Sequence, residues 1–346
     1  MKSAIKILLL IAGVSVVGHT HAQDNKKSWI PTIGGTLRTK FEYQTDVKNS
    51  RFQVRDARIG ASGWLTEFVD YKLQINLSDK GKIRTHDLFA RLHFFDNQFQ
   101  FTGGQFRVPI SVDAARAPHT RWFANRSFVG KQIGNVFDIG AKATYAPKQV
   151  PLTAEFGVYN GRNSSASDDV WLHNNYLYVG HLKFKKSDLE ANVSAMTTKP
   201  QDIRTNMYDA CLSYKYQNFT VEAEYMYKYF CESDAEPVHA LNTMAMYALP
   251  VDNKYMQQVR FLGRFDMMTD DSSGYTDENG EIEITNAARK RATVGVTLGY
   301  YKKVSAELRL NYEKYFYGDN VEIGASDHDK FVAELMILNS ATLLQI

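Results

Sequence analysis

The sequence predicts an all-β protein, a transmembrane antiparallel β-barrel, on three observations. Apolar and polar residues alternate with period two in many segments of about ten residues, the mark of strands with one apolar and one polar face. The connections between segments alternate between short and long, as the two ends of an outer-membrane barrel do. Aromatic residues gather at segment ends (Tyr43, Phe94, Phe95, Tyr145, Tyr227, Tyr229, Tyr300 and Tyr312), where interfacial girdles form. A water-soluble β-sandwich shows the same alternation. Segments of about 10 to 13 residues, long enough for a tilted membrane span, favour the barrel.

The chain opens on "MKSAIKILLLIAGVSVVGHTHAQ". Lys2 and Lys6 form a basic start, and Ile7 to Val17 is apolar but too short to span a bilayer. Residues 1–22 read as a secretory signal peptide, with an anchor helix as the alternative. Residues 23–346 then form a single barrel domain. No other stretch approaches the roughly 20 apolar residues of a membrane helix.

Sixteen strand segments follow, at 34–45, 51–63, 68–78, 83–95, 98–109, 135–146, 150–159, 174–185, 188–197, 204–216, 219–229, 238–249, 254–267, 287–300, 303–315 and 329–338. In the third, Val69, Tyr71, Leu73, Ile75 and Leu77 oppose Asp70, Lys72, Gln74 and Asn76. In the eleventh, Phe219, Val221, Ala223, Tyr225 and Tyr227 oppose Glu222, Glu224 and Lys228. The twelfth alternates poorly and is partly inferred from the even strand number of such barrels. Parity breaks at Arg55-Asp56 and at Gly103-Gly104, the glycine pair marking a bulge or bend. The last run, Phe331 to Ile337, is followed by "NSATLLQI", which leaves open whether the final strand continues to Ile346.

Composition removes several functions. The formal charge is +3, and +1 without Lys2 and Lys6, which argues against a nucleic-acid binder. There is no GxSxG, the nine histidines are scattered, and Cys/His zinc spacings are absent. The expectation is therefore a protein that is not an enzyme and needs no cofactor. "DDSSGYTDENGEIE" lacks the spacing of a calcium loop and reads as solvated, or as a weak divalent site bridging lipopolysaccharide. Cys211 and Cys231 fall about 25 Å apart along neighbouring strands, too far for a disulfide.

One stretch breaks the strand rhythm: "GGQFRVPISVDAARAPHTRWFANRSFVGK", residues 103–131. It carries Arg107, Arg116, Arg121, Arg126 and Lys131 against one acid, Asp113. Arg38, Lys40, Lys72, Arg91 and Lys142 share the polar parity of early strands, while Glu190, Asp209, Glu222, Glu224 and Glu334 crowd later ones. A lumen built this way has a positive and a negative wall. Taken alone, the loop could equally be a solvated surface loop.

At "RFQVRDARIGASG", "LFARLHFF", "FTGGQFRVPIS", "NRSFVG" and "DIGAKATY" the chain resembles the phosphate-selective porin O and P family, most closely from Gly34 to Tyr145. The resemblance implies a trimeric, sixteen-stranded porin in the outer membrane of a Gram-negative bacterium. It also implies that the long third external loop, after the fifth strand, folds into the lumen. The loop cations, with those on the strands, would then draw in small anions by focusing the field in a narrowed pore, guanidinium groups giving paired hydrogen bonds to oxyanions. The expected function is passive diffusion of small hydrophilic, preferentially anionic solutes, with membrane lipid and lipopolysaccharide outside. A phosphate- or polyphosphate-specific channel and a non-porin barrel used for adhesion are the alternatives.

Overall fold

A computed structural model describes residues 29–342, apart from 80, 162–170, 172–174, 279–280, 303 and 320. The expected signal peptide lies outside the described residues. The strands are β1 (Thr32–Gln44), β2 (Ser50–Thr66), β3 (Val69–Asp79), β4 (Lys82–Phe94), β5 (Phe99–Arg107), β6 (Phe137–Tyr145), β7 (Leu152–Tyr159) and β8 (Leu177–Lys186). They continue as β9 (Leu189–Thr198), β10 (Thr205–Tyr216), β11 (Phe219–Phe230), β12 (Val238–Pro250), β13 (Gln258–Met268), β14 (Arg289–Tyr301), β15 (Ser305–Phe316) and β16 (Lys330–Thr342). Each pairs antiparallel with its neighbours in sequence, and β1 pairs with β16 from Thr32↔Thr342 to Gln44↔Lys330, closing the barrel. Closure leaves no unpaired edge, which a spanning sheet requires because lipid offers no hydrogen bonds.

The faces of the sheet are distributed inside-out relative to a soluble protein. Leu73, Leu212, Phe261 and Val294 are exposed on the outer wall, whereas Glu224, Asn242, Asp266, Arg309 and Glu334 are fully buried within. Apolar residues outward and charged residues inward suit a wall between lipid and a polar lumen. The weak twelfth segment forms a full strand, paired on both sides. β16 runs beyond 338 to Thr342, so the residues after Ile337 complete the seam with β1.

The two expected parity breaks have different structures. Arg55 is an extra residue: the register between β1 and β2 shifts at Arg38/Thr39, so Thr39 faces Val54 while Arg38 faces Asp56. This bulge turns Asp56 and Arg58, rather than Ala57, toward the lumen. Gly104 keeps its register with both β4 and β6 but has φ 131°. A Cβ there would lie 2.3 Å from the Leu88 carbonyl oxygen. Only glycine tolerates both the dihedral and the approach.

The lumen face is not uniformly polar. Val179, Met196, Met207, Met226, Val238 and Met268 point inward and pack with Val108, Ile110, Phe128 and Val129 of the connection between β5 and β6. These strand residues sit on the parity that alternation assigns to polar groups. The physical reason is that a loop folded inside needs a dry surface against which to bury its own apolar side chains. Cys211 faces Glu224 across β10 and β11, Cys231 lies past the end of β11, and both are free thiols.

Substituting Gly104→Ala is expected to lower barrel stability by about 1–3 kcal/mol, the cost of holding a side chain in a forbidden region. Gly103→Ala, with open space at its Cβ, should change little. Urea unfolding in lipid vesicles, followed by tryptophan fluorescence, compares the two.

Candidate pore constriction

Residues 108–136 leave the wall between β5 and β6 and cross the lumen. The loop begins with a single helical turn, α1 (Val112–Ala115), whose Ser111 hydroxyl caps the Ala114 amide. Glu224 of β11 accepts from the Ser111 hydroxyl and the Val112 amide, both at 2.7 Å. Arg116 then pairs with Glu222 of the same strand. Further on, Arg309 donates to the Pro118 carbonyl at 3.1 Å, and Asn311 accepts from the Ala124 amide at 2.9 Å. Asn125 donates to Glu313 at 2.9 Å, and the Phe128 amide donates to Asp266 at 2.9 Å. The loop is thus fastened to β11, β13 and β15, across the barrel from its origin.

The fasteners are themselves neutralised. Arg38 bridges Asp56 and Glu334, each at 2.6 Å, and donates to the Ala124 carbonyl at 2.7 Å. Arg309 meets Glu334 at 3.0 Å and Glu307 at 2.5 Å. Arg291 joins Asp266 at 2.7 Å to Glu313 at 3.1 Å and holds the Arg126 carbonyl at 2.7 Å. Buried charges persist only when compensated in this way. Glu224, Asp266, Glu307, Glu313 and Glu334 of the later strands are therefore spent on fixing the loop and the arginines that hold it, whereas Glu190 and Asp209 are not. Arg38 and Lys40 share that work: Lys40 binds Glu42 at 2.9 Å and Asn125 at 2.7 Å.

The loop leaves a wide cavity on one of its sides. A cavity of about 1050 Å³ lies between it and β1, β2 and β4, lined by thirteen Lys or Arg against two carboxylates, Glu42 and Asp56. Of the expected site residues, Arg38, Lys40, Arg107, Arg121, Arg126 and Lys131 reach it. Arg116 does not; it faces the acidic wall. Lys72, Arg91 and Lys142 sit nearer the short turns, paired with Asp87 at 2.5 Å, Asp70 at 3.5 Å and Glu155 at 2.5 Å. Arg51, Arg58 and Arg291 also line the cavity. Alternation read through Arg55 misses Arg58, because the bulge inverts the parity.

Within the cavity the loop cations differ in what satisfies them. Arg126 donates to three carbonyls of its own loop, those of Asp113, Ala114 and Arg116, with no carboxylate in the set. Burial lowers its pKa to about 10. Arg107 donates to Asn135 at 2.6 Å and lies 4.1 Å over the Phe137 ring. Arg121 is 7% exposed, its Nε has no acceptor, and it makes no ion pair among the described residues. Desolvation first, then the charges of Arg126 and Arg38, press its pKa well below the ordinary arginine value. Guanidinium does not deprotonate in proteins, so Arg121 stays a cation despite that pressure. Lys131 is likewise unpaired among the described residues; its surface is open to the lumen, yet desolvation by the surrounding protein and the charges of Arg291, Lys330 and Arg289 hold its pKa down at about 8.

A closed sixteen-stranded barrel with an apolar exterior and a charged lumen, narrowed by an inserted loop, is an outer-membrane porin, a passive channel. The chain belongs to the beta-barrel porin-2, OmpL-like family, whose pattern matches residues 35–338. That places it in the outer membrane of a Gram-negative bacterium. The resemblance to the phosphate-selective porins holds at the level of porin; the matching family is this one. No curated protein matches the sequence. Among solved structures the chain is similar to an anion-selective porin from Comamonas acidovorans, with TM-score 0.63, 11% identity, and 90% of this chain and 99% of that one covered. It is also similar to a loop-deletion form of the outer membrane protein OmpT of Vibrio cholerae, at TM-score 0.61 and 12% identity over 90% and 99% of the two chains. OmpF of Salmonella typhi, in complex with daunomycin, gives TM-score 0.61 and 12% identity over 90% and 97%. At these identities the likeness is one of fold.

Removing Glu334 strips Arg38 and Arg309 of a shared carboxylate. Glu334→Gln is expected to cost about 3–5 kcal/mol and to expose residues 108–136 to protease, read as new cleavage products from detergent-solubilised barrels.

Proposed function

We propose that the protein is a general porin through which small hydrophilic solutes diffuse, with a preference for anions and no turnover chemistry. The observation that carries this reading is Arg121, a buried guanidinium without a partner among the described residues, facing a cavity that is overwhelmingly cationic. A solute crossing the loop must pass this field, and low-dielectric walls strengthen it. Arg107, Arg126 and Lys131 extend the attraction along the loop. The fold-level neighbour described as anion-selective is consonant with the reading. Assembly as a homotrimer, the form described for one OmpT structure, and export by a signal in residues 1–22 complete it.

A second reading, a channel that holds phosphate or polyphosphate, draws on the same Arg107, Arg121 and Arg126. It requires phosphate to block chloride current at concentrations far below those of chloride.

The test is the reversal potential across a planar bilayer under a potassium chloride gradient. Anion preference is expected, and Arg121→Ala should reduce the permeability ratio roughly threefold to tenfold. Arg116→Ala, whose charge is spent on Glu222, should move it less. Channels without ion preference would leave a general porin and overturn the role of the loop. Folded protein that forms no channels would favour an adhesion barrel.

The lowered pKa of Lys131 adds a pH dependence. The ammonium is charged below about pH 8 and neutral above it, so anion preference should decline as pH rises through that value. Lys131→Arg should flatten the decline.

A further inference from the structure

The loop has a second face. Arg121 lines the cationic cavity, while its neighbour Trp122 lines a separate niche of about 320 Å³, together with Arg116, Glu190, Ser213 and Glu222. Glu190, Ser213 and Glu222 stand in one row across β9, β10 and β11, close to the short-turn end of the barrel. One loop segment therefore partitions two chemically opposite spaces.

Glu222 is the informative group. It is 4% exposed, and one carboxylate oxygen receives the Arg116 guanidinium while the other has no donor among the described residues. A buried acceptor left without a donor is costly. Glu190 is paired with Lys183 at 2.7 Å and Lys185 at 3.4 Å. Lys185 is well exposed and Lys183 partly so, and water screens them accordingly. The niche lining itself holds two carboxyl groups, Glu190 and Glu222, against one cation, Arg116. Trp122 contributes a ring that already attracts a cation, with the Arg116 guanidinium 5.4 Å from its centre.

An unfilled acceptor, an excess of one carboxyl group in the lining and an aromatic ring together select a small organic cation bearing N–H donors. We propose that this niche binds the primary ammonium group of a small amine on the short-turn side of the constriction. A neutral polyol would supply donors but not the charge. A zwitterionic solute would meet a site for each of its charges on either face of the loop. The inference rests on the loop's place in the lumen and not on the anion preference.

The test uses n-butylammonium chloride, added to the short-turn side of single channels in a planar bilayer. Concentration-dependent interruptions of the current are expected, with 1,4-butanediol producing none. Trp122→Ala and Glu190→Gln should each shorten the interruptions, by roughly threefold to tenfold for the tryptophan, and Trp122→Phe should restore part of the dwell time. Glu222→Gln is less informative because it also loosens Arg116. No interruptions, or interruptions unchanged in both variants, would overturn the proposal. Equal interruption by the diol would reassign the niche to hydroxylated solutes. Reversal potential recorded on the same unmodified channels reports the anion preference separately, so either idea can fail while the other stands.

Discussion

Everything functional in this barrel depends on one constraint: an irregular segment of about thirty residues must sit in the lumen with its backbone polar groups satisfied. The wall opposite its origin supplies the partners. Glu224 and Asp266 accept loop amides, Asn311 accepts another, and Arg38, Arg264, Arg291 and Arg309 donate to loop carbonyls. Because both signs of charge are needed for this, the wall becomes a lattice of alternating acids and arginines. Its compensation is internal, which is why so many charged groups can be buried without a ligand.

That arrangement separates charge spent on structure from charge that lines the open cavity. Counting acids and bases along the strands suggests a lumen with two opposed walls. In three dimensions the acidic wall is largely covered by the loop and the methionine-rich patch that receives it. The 1050 Å³ cavity lies on the cationic side, where Glu42 and Asp56 are outnumbered. Arg38 and Arg121 illustrate the difference. Both are buried arginines, yet Arg38 has two carboxylates and Arg121 has none within ion-pair distance among the described residues.

Much of the fold was legible from period-two patterning, because one lipid face and one polar face impose it on nearly every strand. All sixteen segments, the alternation of turns and loops, and the long insertion after the fifth strand could be placed. Three features escaped. The parity break at Arg55-Asp56 was expected, but its consequence, that Arg58 faces the lumen, was not drawn. Met196, Met207 and Met226 point inward because the loop needs a dry seat, and a local pattern carries no information about a distant loop. The partners of Arg116, Lys72, Arg91 and Lys142 lie on adjacent strands or across the lumen, so a cationic residue type could be read but not whether its charge was free. Arg107, Arg121, Arg126 and Lys131, which line the cavity, were singled out because their charge density stood out in a segment with one acid.

The seam between β1 and β16 joins the first and last strands, and Arg38 reaches Glu334 across it, 296 positions away in the chain. Such pairing has the highest contact order the topology allows. No enclosed lumen exists until the C-terminal strand arrives, and the arginine lattice that seats the loop cannot be completed before it. Until that moment the polypeptide carries two open β-edges and an apolar exterior through an aqueous compartment. Escort of the nascent chain, rather than spontaneous closure in water, is the kinetic burden this architecture places on the cell.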